Sequence, residues 1–173
     1  MKTLEDQMAT YAAYHQDARN KATHFVGVPA IVLSLFIPLA WLRIDAVSAA
    51  TVVAAALVVY YLVLDLALGL AMLVVLAVLA WVGELIAMQG AVAGWTWFGV
   101  LFVGGWILQL VGHVYEGRRP ALADNLFQIF VAPIFLAAEA FFALGYKPGL
   151  QEAVQRRAME IRARAAPRTA AVC

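Results

Sequence analysis

Charge is what this 173-residue sequence lacks where a soluble protein would need it most. Only 13% of its residues are charged and 65% are hydrophobic, against roughly a quarter and roughly half in soluble domains. Between residues 25 and 114 the charged side chains are Arg43, Asp45, Asp65 and Glu84 alone, and no Lys or Arg lies between Arg43 and Arg118. So little polar surface cannot coat a globule. Cysteine is nearly absent too. Cys173 stands alone, which excludes an intramolecular disulfide, a multi-thiolate zinc site and a cysteine-held iron–sulfur cluster. The net charge of +1 hides a segregation, with basic residues gathered towards the two ends. A basic tail on such a chain meets anionic lipid headgroups before nucleic acid, so no nucleic-acid partner is expected.

What is present is apolar sequence in long runs. A membrane-spanning helix needs ~20 mostly apolar residues, and four stretches qualify. Residues 25–42 carry Pro29 and Pro38; residues 46–64 are uncharged; residues 66–88 hold Glu84 near their end. The fourth, 91–114, starts with Trp95 and Trp97, at the level of an interfacial aromatic belt. Asp65 alone separates the second run from the third, which predicts a tight hairpin. The first run follows a polar segment, residues 1–23, and is too long for a typical signal-peptide core, so it reads as a retained helix. A fifth apolar segment, 125–146, is interrupted by Pro133, charged by Glu139 and made more polar by Gln128.

Charge bias sets the expected orientation. Lys2, Arg19 and Lys21 place the N-terminal segment on the cytoplasmic side, and four crossings return the chain there at Arg118 and Arg119. A fifth crossing would export Lys147, Arg156, Arg157, Arg162, Arg164 and Arg168. The expected fold is therefore all-α, a polytopic membrane protein of about four transmembrane helices plus a re-entrant or interfacial fifth segment. Residues 1–150 form one helical membrane domain and 151–173 a basic cytoplasmic tail, read as an exposed helix. The glycines of the run 99–105 are expected to allow close helix packing. The alanine-rich composition points to a bacterial inner membrane, or to the endoplasmic reticulum in a eukaryote.

The chain has three histidines, and on this topology His15, His24 and His113 all fall on the cytoplasmic side. Charge counting alone brings them together. Gln109, His113 and Glu116 share one helical face, at i, i+4 and i+7, and Asn20 and His24 are likewise four apart. A metal-binding imidazole usually donates its other nitrogen to an amide or carboxylate, which marks Asn20 and Glu116 as its partners. His15 and His24, nine apart, would point about 180° away from each other on one continuous helix. Shared binding requires a break, and the polar stretch 16–20 is the place for it. Imidazole and carboxylate suit iron, zinc, copper or nickel; three histidines, or two plus Glu116, could leave positions open on Fe(II) for substrate and oxygen.

Plainer roles compete with each of these. Histidines at helix ends are often interfacial hydrogen-bonders. Glu139, costly to bury in an apolar segment, is a functional candidate or a packing partner for Arg118 or Gln128. Asp124 could simply cap the following helix, and Asp65 and Glu84 mark turns or interface. Arg118 and Arg119 could bind a carboxylate or anchor the cytoplasmic side.

The same residues carry a family pattern. Tyr11, Tyr14, His15, then Asn20 and His24, then Val28-Pro29 resemble the N-terminal signature of a membrane 2-hydroxy fatty acid dioxygenase family. Gly105-Trp106, Gln109, Gly112-His113, Glu116 and the run Arg118-Arg119-Pro120-Ala121-Leu122 through Asp124-Asn125 resemble a second. Ala132-Pro133, Phe135, Glu139 and Leu144-Gly145 are similar to a third block. The chain departs from the family pattern at Gln16, where a second histidine would follow the first. The resemblance implies an Fe(II)-dependent enzyme that uses molecular oxygen to cleave C1–C2 of a 2-hydroxy fatty acid in α-oxidation, leaving an acid one carbon shorter. It implies His15, His24 and His113 as ligands and Glu116, Glu139 and Asn20 as catalytic or orienting groups. Arg118, Arg119, Gln109 and Asp124 would hold the substrate's polar head. A membrane suits a substrate whose tail prefers lipid while its carboxylate stays at headgroup level. Two other readings stay open: a non-enzymatic lipid-binding membrane protein, and a zinc-dependent lipid hydrolase. Transport is disfavoured, because no charge pair lies mid-membrane.

Overall fold

The computed structural model describes residues 3–117 and 127–165. The described chain is helical apart from one two-residue ladder. Its helices are α1 (Leu4–Ala12), α2 (Ala18–Trp41), α3 (Ala49–Leu64), α4 (Leu66–Ala87), α5 (Ala91–Glu116), α6 (Gln128–Ala143) and α7 (Pro148–Ala165). The ladder pairs β1 (Arg43–Ile44) with β2 (Val47–Ser48) antiparallel, between α2 and α3.

Short polar residues set the helix starts, because each supplies an acceptor to an otherwise orphaned N–H. Thr3 and Asp6 form a capping box on α1, and Asp17 caps α2. Ser48 caps α3, and Asp65 caps α4 directly after ending α3. That single residue makes the predicted tight hairpin. Gly117 ends α5 at φ +66, a left-handed conformation that glycine adopts without strain.

Among the described residues three helices, α2, α4 and α5, are long and apolar enough to cross a membrane. Helices α3 and α6, 16 residues each, fall short of that length; 16 residues rise ~24 Å against a hydrocarbon core of ~30 Å. Against the expected four crossings plus a fifth segment, the described residues give three full-length helices and two shorter apolar ones. Val59, Val63, Val74, Trp81 and Val103 lie exposed on the outer faces, a surface that only lipid solvates well. The chain is an integral membrane protein.

Helix α2 is the centre of the bundle and packs on α5, α4, α3 and α6. Its contact with α5 is close because glycines face each other. A Cβ on Gly105 would lie 2.7 Å from Ile31 Cγ1 and 3.0 Å from the Gly27 carbonyl. One on Gly112 would collide with Thr23 Oγ1 and Asn20 Oδ1. The expectation for the 99–105 run needs correcting: Gly105 makes the close approach, whereas Gly99 and Gly104 face open space. Helix packing selects one face, and those two lie on the other.

Helices α1, α6 and α7 gather at the end of the bundle where α2 starts and α5 ends. Lys21 pairs with Glu139 at 2.8 Å and Lys147 with Asp65 at 2.6 Å. The Tyr61 hydroxyl donates to the Phe130 carbonyl at 2.8 Å. Helix α7 is not the freely exposed tail helix of the sequence reading. Val154 and Ala158 are buried, and Arg157 pairs with Glu5 and Asp6 of α1. At the opposite end, Glu84 holds Arg43 and Ser48, and the Trp41 indole donates to the Ala87 carbonyl at 3.2 Å.

Candidate metal centre

The three histidines meet. Their ligating nitrogens lie within 4.8 Å of one another, the one such group of His, Cys, Asp or Glu large enough for a metal among the described residues. His15 lies in the break between α1 and α2, His24 in the second turn of α2, and His113 in the last turn of α5. The break runs over residues 13–17, slightly ahead of the expected 16–20, and it turns His15 back onto the face of His24. The Gly112 contact brings α5 close enough for His113 to join them. All three rings are buried, at 1%, 2% and 7% exposure.

Hydrogen bonds fix which nitrogens point inward. His15 Nδ1 lies 2.8 Å from the Tyr11 carbonyl, and His24 Nδ1 lies 2.9 Å from the Asn20 carbonyl. A carbonyl oxygen can only accept, so both Nδ1 atoms carry the proton and both Nε2 atoms present lone pairs. Those two Nε2 atoms face each other at 3.1 Å. Two facing lone pairs repel unless a cation lies between them. Two nitrogens bound ~2.1 Å from one ion at a right angle would stand about 3 Å apart, so the donor set fits a metal. His113 Nδ1, buried, has no hydrogen-bond partner among the described residues. Burial first, and the neighbouring His24 second, push the His15 pKa well below its ordinary value, which keeps its lone pair available at neutral pH. The Tyr11 ring stacks on His15 at 4.0 Å and 3°, and Phe135 packs against Tyr11 at 4.7 Å.

A cleft of about 90 Å³ leads away from the cluster. The three imidazoles, Gln109 and Gln128 are its polar lining, and Val28, Ile31, Val32, Leu35 and Trp106 its apolar walls. Leu35 and Ile129 bring it to the lipid-facing surface, each about two-fifths exposed. Such a shape accepts an amphiphile with its head among the histidines.

The other predicted residues take different positions. Glu116 does not touch the imidazoles. Its carboxylate accepts from the backbone N–H groups of Gln16 at 2.9 Å and Asp17 at 2.7 Å, and from Arg162 at 2.9 Å. Asn20 holds His24 through its backbone carbonyl, while its side-chain amide donates to the Tyr14 carbonyl and to Glu116, both at 3.3 Å. Glu139 pairs with Lys21 at 2.8 Å and makes no side-chain hydrogen bond with Gln128; Arg118, its other expected partner, lies outside the described residues. Gln109 lines the cleft. Arg118, Arg119 and Asp124 lie outside the described residues. Sequence reasoning missed Gln128 as a wall of the site, Tyr11 as the anchor of His15, and Arg162 as the partner of Glu116. Gln128 was detectable as the polar start of an apolar segment; Arg162 left no local signal.

The site can be set beside known proteins. A family model described as 2-hydroxy-palmitic acid dioxygenase Mpo1-like matches residues 1–144. The 2-hydroxy-palmitic acid dioxygenase MPO1 of Saccharomyces cerevisiae is 36% identical over 157 residues, covering 88% of this chain and 87% of the yeast protein. No solved structure matches the chain. The family match takes in the break at His15, the close helix pair and His113, and on the coverage of both matches the chain belongs to the Mpo1-like family.

Proposed function

We propose that this protein is an Fe(II)-dependent dioxygenase that cleaves C1–C2 of 2-hydroxy fatty acids, giving the acid one carbon shorter. The observation that carries the proposal is the convergence of three buried imidazoles in the polar lining of a lipid-facing cleft, in a chain of this family. His15 and His24 would hold the ion through Nε2 atoms whose lone pairs the Nδ1 hydrogen bonds leave free, and His113 would complete the set. Bound Fe(II) supplies the redox chemistry that makes molecular oxygen reactive towards the substrate. The protein's own residues do the rest. The Tyr11 and Asn20 carbonyls fix the tautomers of His15 and His24. The apolar walls take the acyl chain and exclude water from the reacting end. Glu116 holds the His15 loop in place, and Arg118, Arg119 and Asp124, which follow α5 in sequence, are assigned to the substrate's carboxylate side.

We place the site on the cytoplasmic face, in a bacterial inner membrane. Helices α2 to α5 are read as four crossings and α6 as an interfacial segment. Its contacts with Tyr61, Lys21 and Tyr11, all at one end of the bundle, and the Lys147–Asp65 pair just after it support that reading. Residues 1–150 would then be the membrane domain and 151–173 its cytoplasmic tail.

Metal analysis of detergent-purified protein after anaerobic iron loading tests this directly, with His113→Ala beside the wild type. One iron per chain, lost in the variant, together with oxygen uptake on adding a 2-hydroxy fatty acid, is the expected result. Retention of zinc under iron competition, without oxygen uptake, would point to a hydrolase instead. No metal in either protein would sink the proposal.

A further inference from the structure

We infer that the side-chain amides of Gln109 and Gln128 recognise the 2-hydroxyl group and so set the specificity of the cleft; the inference rests on the 2-hydroxy acid reading above. Gln109 lies one helical turn before His113 on α5, and Gln128 opens α6. The two helices place these amides on the same cleft as the three histidines. Both side chains are more than nine-tenths buried, at 7% and 4% exposure. Gln109 Nε2 and Gln128 Oε1 nevertheless have no hydrogen-bond partner among the described residues. Buried polar groups are nearly always paired, so two amides on one cavity, each with one unpaired buried atom, are groups kept for a ligand. Gly27 leaves the recess that Gln109 occupies, since a Cβ there would collide with Nε2.

The chemistry of the pair selects the ligand. One amide offers a donor and the other an acceptor. A plain fatty carboxylate can only accept, and would leave the Gln128 oxygen unpaired. A hydroxyl beside the carboxylate both donates and accepts, so a 2-hydroxy acid satisfies both amides at once. Neither amide needs to touch a metal ion for this. A site built to pair with a substrate hydroxyl discriminates strongly against the analogue that lacks it, because its own polar groups are then stranded.

The test is equilibrium binding under nitrogen to iron-loaded protein in detergent, with 2-hydroxyhexadecanoic acid and hexadecanoic acid as probes. Wild type is expected to favour the hydroxy acid at least tenfold. Gln128→Leu should lower that ratio about tenfold or more, by weakening binding of the hydroxy acid and removing the stranded oxygen that disfavours hexadecanoic acid, with iron content unchanged. No side-chain hydrogen bond of Gln128 is lost in this variant among the described residues, and its iron content checks that the site is intact; Gln109→Leu is the parallel variant. A preference that survives in both would overturn the assignment while leaving the 2-hydroxy acid reading intact. A wild type that does not distinguish the two acids would overturn that reading, and this inference with it.

Discussion

Arg162 and Glu116 meet at 2.9 Å, 46 residues apart in the chain, with the Glu116 side chain only 2% exposed. Arg162 also donates to the Ala13 carbonyl at 3.2 Å. The guanidinium therefore clamps two things, the end of α5 and the loop that carries His15. The tail helix α7, which lies beyond the segment matched by the family model, is mechanically tied to the histidine cluster.

Removing the carboxylate should loosen that clamp. Glu116→Ala strands a partly buried guanidinium and two backbone N–H groups, at about 3 kcal/mol. Glu116→Gln keeps an acceptor and should cost less than half as much. Chemical unfolding in detergent measures both. Iron should stay stoichiometric in Glu116→Gln, because the carboxylate does not touch the histidines and the amide keeps an acceptor for the His15 loop; loss of iron with unchanged stability would count against this positioning role.

The glycine contact gives a paired test. Gly112→Ala forces a methyl group against Thr23 and Asn20, 3.2 Å from His24 Nδ1, and overpacking of this kind costs about 1–3 kcal/mol. Iron affinity should fall with it, as His24 and His113 are pushed apart. Gly104→Ala meets nothing within 4 Å and should be neutral or slightly stabilising, since alanine is the better helix former. Equal behaviour of the two variants in thermal melts and metal titrations would refute the packing argument.

Metal binding should stabilise the fold. An ion that binds the native state alone, at 100 times its Kd, adds about 2.7 kcal/mol. Anaerobic Fe(II) should raise the melting temperature of the wild type and leave that of His24→Ala unmoved. A chelator should reverse the shift.

Asp65 makes a pH prediction. Burial pushes its pKa up, but the Leu68 N–H and the Lys147 ammonium outweigh this and hold it below its ordinary value. A depressed folded pKa contributes stability that is present above the unfolded value, about 4, and lost as pH falls through the folded value. Wild type should therefore lose stability below about pH 4 more steeply than Asp65→Asn. Parallel acid limbs in the two unfolding profiles would count against the pair.

Much of this was legible in the residues themselves. Asp65 between two apolar runs specified the α3–α4 hairpin, and the polar stretch after His15 marked the break that shared binding required. Charge bias put all three histidines on one side. What could not be read was which side chain meets which across the bundle. Glu116 and His113 share a helical face, so spacing alone made Glu116 look like an imidazole partner. Its real partners come from the α1–α2 break and from Arg162. Glu139 looked isolated because Lys21 is 118 residues away. Gly99 and Gly104 could not be told from Gly105 without knowing which face α2 covers.

The opening of the cleft at Leu35 and Ile129 has a kinetic consequence. A substrate entering there comes sideways, out of the leaflet, and arrives by diffusion in two dimensions. The relevant concentration is then its mole fraction among the surrounding lipids rather than its amount per litre. Adding inert detergent or lipid at fixed bulk substrate should slow the enzyme by surface dilution alone, with no change in the protein.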